Sequence, residues 1–441
     1  MKLRTIHRTQ LSVEALESRD CPSTYSIVDL LLPTGATNST ALGLNDSALV
    51  VGRASVSGFS QPAVWQVGAG PTAAGTLLPP VDGGVGRGDA FDVNNSGMIA
   101  GTSILVDGFP HAVVWTGSGA AYAAHDLGVL AGFGESGANA LSNADTAGRT
   151  WVAGISRTAS SEHATLWHVD AAGSVLATVD LEPSLAISNA RDVRLVDPSP
   201  TSGDEYLLVA GEVQLPGVKP AVVWKLNLSG GVLNRTDLGT LGGAYSAGWA
   251  VNSAGHVAGQ SLPASGWARA FLHRDGVMSN LGSLTNGHSQ ATALNDSDIV
   301  VGACDIFSKT GAYQGSKAFV WQDGVMRDLQ QQLGTKDKAN WSALFSANDV
   351  NAVGQIVGGG RVGKGNAAQG HAFLMTPAAL HASALGTQPA TAALSADQAR
   401  KLVAEASARW QPAGADISDL SNLDIRIADL GGTTLGLASG H

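Results

Sequence analysis

"ALGLNDSALVVG", residues 41–52, and "ALNDSDIVVG", residues 293–302, are nearly one phrase written twice, with Asn45 and Asn295 standing 250 positions apart. Reduced to Ala-x-x-aliphatic-Asn-x-x-x-aliphatic-aliphatic-Gly, it recurs along the chain. Asn precedes Gly by seven positions at Asn45/Gly52, Asn94/Gly101, Asn252/Gly259, Asn295/Gly302 and Asn351/Gly358. Two further copies carry insertions and end at Gly154 ("WVAG") and Gly211 ("LLVAG"), so the glycines step by 49, 53, 57, 48, 43 and 56 residues. A fixed period of this size is the mark of a repeat architecture, in which no single unit can bury its own faces.

Two more phrases keep the same beat. "PAVW", "HAVVW", "HATLW", "PAVVW", "RAFLH", "KAFVW" and "HAFLM" end at Trp65, Trp115, Trp167, Trp224, His273, Trp321 and Met375. An Asp-Leu-Gly or relative stands at Asp29–Leu30, Asp126–Gly128, Asp180–Leu181, Asp237–Gly239, Asn280–Gly282 and Asp328–Leu329. Residues 237–284 show one whole unit, and His371-Ala372-Phe373 supplies the tripeptide that names the HAF repeat. The chain resembles that family of probable extracellular bacterial repeat proteins from about residue 25 to 376. The resemblance implies an exported repeat protein with no established activity.

The residues of one unit read as strands. "NNSG" at 94–97, "NSAG" at 252–255 and "NAVG" at 351–354 are turns. Asn accepts local backbone hydrogen bonds and Gly takes positive φ without a Cβ clash. With aliphatic residues on both sides, this predicts a short hairpin with a type I turn and a glycine bulge. Asp298 and Ala48 replace the glycine, and Ala48 implies a slightly altered turn. Adding the Trp-terminated run and the Asp-Leu-Gly element gives about four short strands per unit. The prediction is an all-β fold, a seven-bladed β-propeller over residues 24–376. A spare strand at 25–30 and a missing one after Met375 predict that the N-terminus closes the ring, covering both edges. The tryptophans are expected to pack between blades, each burying about 150–250 Å². His273 and Met375 predict looser contacts at the fifth and seventh blades.

Outside the repeats, residues 1–23 read as a leader. "LSVEALESRDCPS" at 11–23 resembles a short tag at the start of some large exported bacterial proteins. Residues 377–394 form an Ala/Pro/Thr linker. Residues 395–441 read as a helix and then a strand, a short helical tail resembling the start of a C-terminal module of such proteins.

Composition narrows the function. The chain has 441 residues, 44% hydrophobic, with 56 glycines, only 14% charged residues and a formal net charge of −10. That balance argues against a nucleic-acid partner, and no apolar run reaches the length of a membrane span. Two cysteines, Cys21 and Cys304, exclude a disulfide scaffold. His111, His163 and His371 share one repeat slot with Pro62, Pro220, Arg269 and Lys317, a spread no ligand set tolerates. The acidic turns at 45–47 and 295–298 lack calcium-loop spacing, and no nucleophile elbow or metal-protease motif occurs.

No catalytic, cofactor-binding or metal residue is assigned, and no cofactor is called; the positions singled out are structural. The expected protein is an extracellular or cell-surface, monomeric, non-enzymatic scaffold, binding a carbohydrate or surface protein through loops on one face. The alternative is a propeller-type hydrolase or lyase acting on polysaccharide, which predicts ionisable side chains converging at the channel mouth. The least repeat-like segments, 142–151, 194–208 and 304–318, are the candidates for a private role.

Overall fold

The computed structural model describes residues 25–377, except 69–71, 83, 120, 199–203, 364 and 366–367. The leader, the linker and the C-terminal module read from the sequence lie outside the described residues. The chain begins with β1 (Tyr25–Leu31) and then runs through antiparallel meanders. The first is β2 (Ala36–Leu44), β3 (Leu49–Val56), β4 (Phe59–Gln66) and β5 (Thr72–Leu77). The second is β6 (Gly84–Val93), β7 (Ile99–Leu105), β8 (Pro110–Ser118) and β9 (Ala121–Gly128); the third is β10 (Glu135–Leu141), β11 (Thr150–Arg157), β12 (Glu162–Val169) and β13 (Val175–Asp180). The fourth is β14 (Ser188–Val196), β15 (Tyr206–Val213), β16 (Ala221–Leu226) and β17 (Val232–Gly239); the fifth is β18 (Gly242–Val251), β19 (Val257–Pro263), β20 (Arg269–Arg274) and β21 (Val277–Gly282). The sixth is β22 (Ser289–Leu294), β23 (Val300–Phe307), β24 (Tyr313–Gln322) and β25 (Val325–Asp328). A 3-10 turn (Leu329–Gln332) and α1 (Thr335–Asn340) lead to β26 (Trp341–Val350), β27 (Ile356–Val362) and β28 (Gln369–Pro377).

The fold is an all-β propeller. Its sheets number five of four strands and one of eight, in the order β2-β3-β4-β5-β1-β28-β27-β26. This corrects the expectation of seven separate sheets. β1 pairs antiparallel with β28, with Ile27 opposite Met375 and Leu30 opposite Ala372, as the strand count required. The same strand also pairs in parallel with β5 through Asp29, Leu30 and Leu31, which fuses the first meander to the last. One strand therefore covers two edges that would otherwise be open.

Packing between meanders repeats seven times. Seven buried apolar clusters occur among the described residues, and each draws on two consecutive meanders. In the cluster between the first and second, Val51 and Val64 meet Ile99, Val113 and Trp115. Trp65, Trp115, Trp167 and Trp224 are fully buried. The other three meanders place their bulk two residues earlier, on the same strand face, as fully buried Phe271, Phe319 and Phe373. Trp321 is only partly buried and sits at the border of its cluster. The expected looseness at His273 and Met375 is therefore corrected: Phe271 and Phe373 fill the wedge, and Met375 is itself fully buried.

Serines tie these wedges. Oγ of Ser39, Ser136, Ser188, Ser246 and Ser289 accepts the N–H of Ala372, Ala112, Ala164, Ala221 and Ala270, each the second-phrase Ala of the preceding meander. The Asn turns form as expected: Asn94 donates its N–H to the Met98 carbonyl, and Gly97 donates to the Asn94 carbonyl. Ala48 takes φ 58° and Asp298 φ 57°, matching Gly97 at 86°. The turn at Ala48 is therefore not altered, and the residue accepts the strain of the left-handed region instead.

Candidate functional site: the polar mouth of the channel

Seven first strands (β2, β6, β10, β14, β18, β22 and β26) surround a cavity of about 210 Å³ at the turn-bearing end of the ring. Each carries a bulge between the first-phrase Ala, or Gly248, and the residue two further on. The repeat glycines explain why. A Cβ on Gly52, Gly101, Gly154, Gly211, Gly259, Gly302 or Gly358 would lie 1.9–2.1 Å from the carbonyl oxygen of Thr40, Asp89, Gly137, Asn189, Ala247, Gln290 or Ser346, so the strand facing the bulge admits no side chain there. The bulge turns one extra residue per strand toward the channel. These residues are Leu42, Phe91, Asn139, Arg191, Trp249, Thr292 and Asn348, all lining the cavity, with asparagine at two places and a different residue at each of the others.

The repeat asparagines form a girdle around this mouth. Nδ2 of Asn45 donates to the Asn94 carbonyl, Asn94 to Ser142, Asn252 to Asn295, Asn295 to Asn351 and Asn351 to Asn45, each reaching the next meander. The Oδ1 of the same side chain holds its own turn, accepting for Asn45 the N–H of Ser47 and Leu49. Arg194 takes the Asn slot in the fourth meander and donates Nε to the Val251 carbonyl. Outside this girdle lies a second one. Oδ1 of Asp46, Asn95, Asn143 and Asp296 accepts the backbone N–H of Ala352, Asp46, Asn95 and Ser253.

Three carboxylates stand deeper. Asp92 accepts from Val93 N–H and from Leu141 N–H of the next meander; Asp192 likewise from Val193 and Val251, and Asp349 from Val350 and Leu44. Burial pushes Asp92 up to about 6, against the pull of the Leu141 N–H. Burial, and then the Asp92 charge, push Asp349 up to about 7. Burial disfavours the Arg194 cation, but Asp192, Asp92 and Asp349 together raise its pKa above the usual value. Arg191 forks onto fully buried Glu212 at 2.7 and 2.6 Å, with its Cζ 3.9 Å from the centre of the Trp249 ring.

Histidines of the second phrase meet the aspartates of the third. Nδ1 of His111, His163 and His371 lies 2.9, 2.7 and 2.7 Å from Asp126, Asp180 and Asp29, and Lys317 pairs with Asp328 at 2.9 Å. The His371–Asp29 pair crosses the closure of the ring. Register places Gln61, not Pro62, in the slot of His111, because Gln61 stands two residues before Ala63, the partner of Gly52, as His111 stands two before Val113, the partner of Gly101. Among the described residues no group of three metal-ligating side chains is close enough to hold an ion. The segment 142–151 and the described parts of 194–208, residues 194–198 and 204–208, bear on the mouth face, since they flank the connection of first strands to second; 304–318 spans β23 and β24, so its loop lies on the opposite face.

The sequence reading found the asparagines as turn formers and missed their amides, which bond a full repeat away. It also missed the bulge residues, whose signal is visible in hindsight as the two unconstrained positions after Ala in the phrase.

No family model and no curated protein matches this chain. Among solved structures, the Pyrococcus horikoshii acylaminoacyl peptidase is similar at 11% identity with a TM-score of 0.41, covering 74% of this chain and 50% of that one. The β-propeller domain of the Trilobed protease from Pyrococcus furiosus gives 10% identity and a TM-score of 0.36 over 62% of this chain and 76% of that one. Sqt1 from Chaetomium thermophilum gives 12% and 0.39 over 75% and 82%. This chain thus spans half the length of the peptidase. These likenesses carry no argument about what it does.

Proposed function

We propose that this chain is an exported, non-enzymatic scaffold of seven HAF-type repeats, working at the cell surface or beyond it as a monomer. In this reading the eight-stranded sheet is two blades joined at their outer edge by β1. The scaffold presents its loops to a carbohydrate or a surface protein. One observation carries the non-enzymatic half: both oxygens of Asp92, Asp192 and Asp349 already accept backbone N–H groups from two meanders. A general base or nucleophile needs an oxygen directed at substrate, whereas these are directed at neighbouring strands.

A polysaccharide hydrolase or lyase is the second reading. Ionisable groups do converge on the channel, and Asp349, pushed up to about 7, holds the proton that a general acid needs near neutral pH. The test is to incubate the full chain with insoluble cell-wall polysaccharides and follow both retention and released reducing ends. Retention without release is expected. Release that disappears in Asp349→Asn would replace the scaffold with the enzyme.

A further inference from the structure

On the face opposite the mouth, between the fifth and sixth meanders, three aromatic rings stand in a corner. Trp267, in the loop joining β19 and β20, is 41% exposed, the most exposed tryptophan among the described residues. Phe307, at the end of β23, stacks on it at 4.9 Å and 12° between planes. Tyr313, at the start of β24 and 61% exposed, meets Phe307 edge-on at 5.8 Å and 70°. His288 sets its ring against the Trp267 indole at 4.6 Å and 77°.

Hydrogen bonds and close packing hold this corner before any ligand arrives. Asn286 Nδ2 donates to the Phe307 carbonyl, and Thr285 Oγ1 donates to the Asp305 carbonyl. Phe307 lies so close to Gly287 that a Cβ there would come within 2.7 Å of its ring. Ala268 N–H donates to His288 Nδ1 at 3.1 Å. Accepting at Nδ1 leaves the proton of the neutral imidazole on Nε2, a donor beside the indole. The Ser308–Ala312 turn, closed by two backbone bonds, fixes the chain that delivers Tyr313.

Phe307 covers one face of the indole, so its exposure falls on the other face and the edge. We propose that this corner binds a pyranose ring of a neutral oligosaccharide. One face of such a ring is a row of C–H groups, which the negative face of an aromatic ring attracts. Its equatorial hydroxyls would meet the His288 Nε2–H and the Tyr313 hydroxyl, few and directional as in small-molecule sites. A protein partner is less well matched: a stable interface takes about 800 Å² from each side, and the other exposed large side chains toward this face, Leu31, Phe59, Val85, Val106 and Phe109, belong to β1 or to the first and second meanders. The segment 304–318, the least repeat-like in its unit, supplies two of the three rings.

The proposal rests on the scaffold reading in one respect, that the sugar is held and not cut. Cellopentaose, chitopentaose and xylopentaose, each titrated into the full chain and followed by calorimetry, test it. At least one should bind. Trp267→Ala should weaken that binding roughly tenfold or more, Tyr313→Ala less, and Trp267→Phe should recover part of it, with melting curves like wild type. Absence of binding by all three, or wild-type affinity in Trp267→Ala, overturns the proposal. Should Trp267→Ala fail to fold, wild-type affinity in Tyr313→Ala overturns it instead. Reducing ends released during titration would overturn the non-enzymatic reading while leaving the corner as the binding site.

Discussion

Consecutive meanders meet in two regions, a dry wedge along the strands and a polar hub around the channel, and the two record sequence change differently. In the wedge the first four meanders rely on Trp65, Trp115, Trp167 and Trp224, the last three on Phe271, Phe319 and Phe373. The bulk moves by two residues and stays on one face, so the space is filled either way. Volume-conserving exchanges of this kind are those that cores tolerate best. In the hub a substitution changes the bond itself: Ser142 in the Asn slot donates to its neighbour Asn143, Arg194 shifts the link to the Val251 carbonyl, and Gly43, Ala140, Ala250 and Ala293 stand where Asp92, Asp192 and Asp349 clasp. The wedge is additive in volume, whereas the hub is a network.

The wedge account makes the largest demand. Trp115→Ala and Phe319→Ala should each cost about 3–5 kcal/mol, because both leave a large cavity in a fully buried cluster. Trp321→Ala, at the border, should cost clearly less. Denaturant unfolding of the three variants checks this ordering. A Trp321→Ala loss equal to that of Phe319→Ala would mean that the tryptophan slot, and not total bulk, supports each wedge.

How far the sequence announced this depends on the range of each interaction. Asn-x-x-Gly turns are local, so residues 94–97 revealed their own hairpin. Ring closure was legible because strands could be counted, and one fewer followed the last phrase than preceded the first. The fusion of two sheets was not, since the parallel contact of Asp29, Leu30 and Leu31 with β5 adds nothing to the strand count. The Asn amides and the Asp clasps were hidden for another reason. Their partners are backbone groups one repeat away, or 305 and 306 residues away across the ring closure, and a backbone group leaves no signature in sequence. Side-chain pairs do leave one: His in the second phrase coincides with Asp in the third at His111/Asp126, His163/Asp180 and His371/Asp29. Of the corner, only the segment 304–318 that carries Phe307 and Tyr313 stood out, as a stretch unlike the repeat; Trp267 lies inside the whole unit at 237–284 and carried no signal.

The hub makes a pH demand that the wedge does not. Asp92 and Asp349 are pushed up to about 6 and 7 in the folded chain, above the ordinary 3.8. The folded state then holds protons that the unfolded chain has released, so this contribution to stability is fully present below about pH 4 and is lost as pH rises through 6 and 7. Unfolding free energy should fall on the order of 4 kcal/mol between pH 5 and 8, about one pKa unit from Asp92 and two from Asp349. Asp349→Asn should flatten that slope, while a wedge variant such as Trp115→Ala should lower the whole curve and keep its shape. Equal slopes in wild type and Asp349→Asn would remove the buried carboxylates from the account of the hub.

The smallest effect probes the turn on which the hub is hung. Asp298 and Ala48 both adopt positive φ where three other turns use Gly97, Gly255 and Gly354. Asp can hydrogen-bond locally in that region, and Asp298 does accept from Asn252 and contact His256 and Arg274. Ala48 has no such compensation, because a methyl group gains nothing there and clashes with the backbone. Ala48→Gly should therefore stabilise the protein by roughly 1 kcal/mol despite the extra freedom it gives the unfolded chain. Asp298→Gly should instead destabilise it, because the strain relieved is outweighed by the loss of a carboxylate that links the fifth meander to the sixth. If both substitutions shift the melting temperature in the same direction, backbone strain alone decides these turns, and the bonds between meanders at the hub contribute less than the geometry implies.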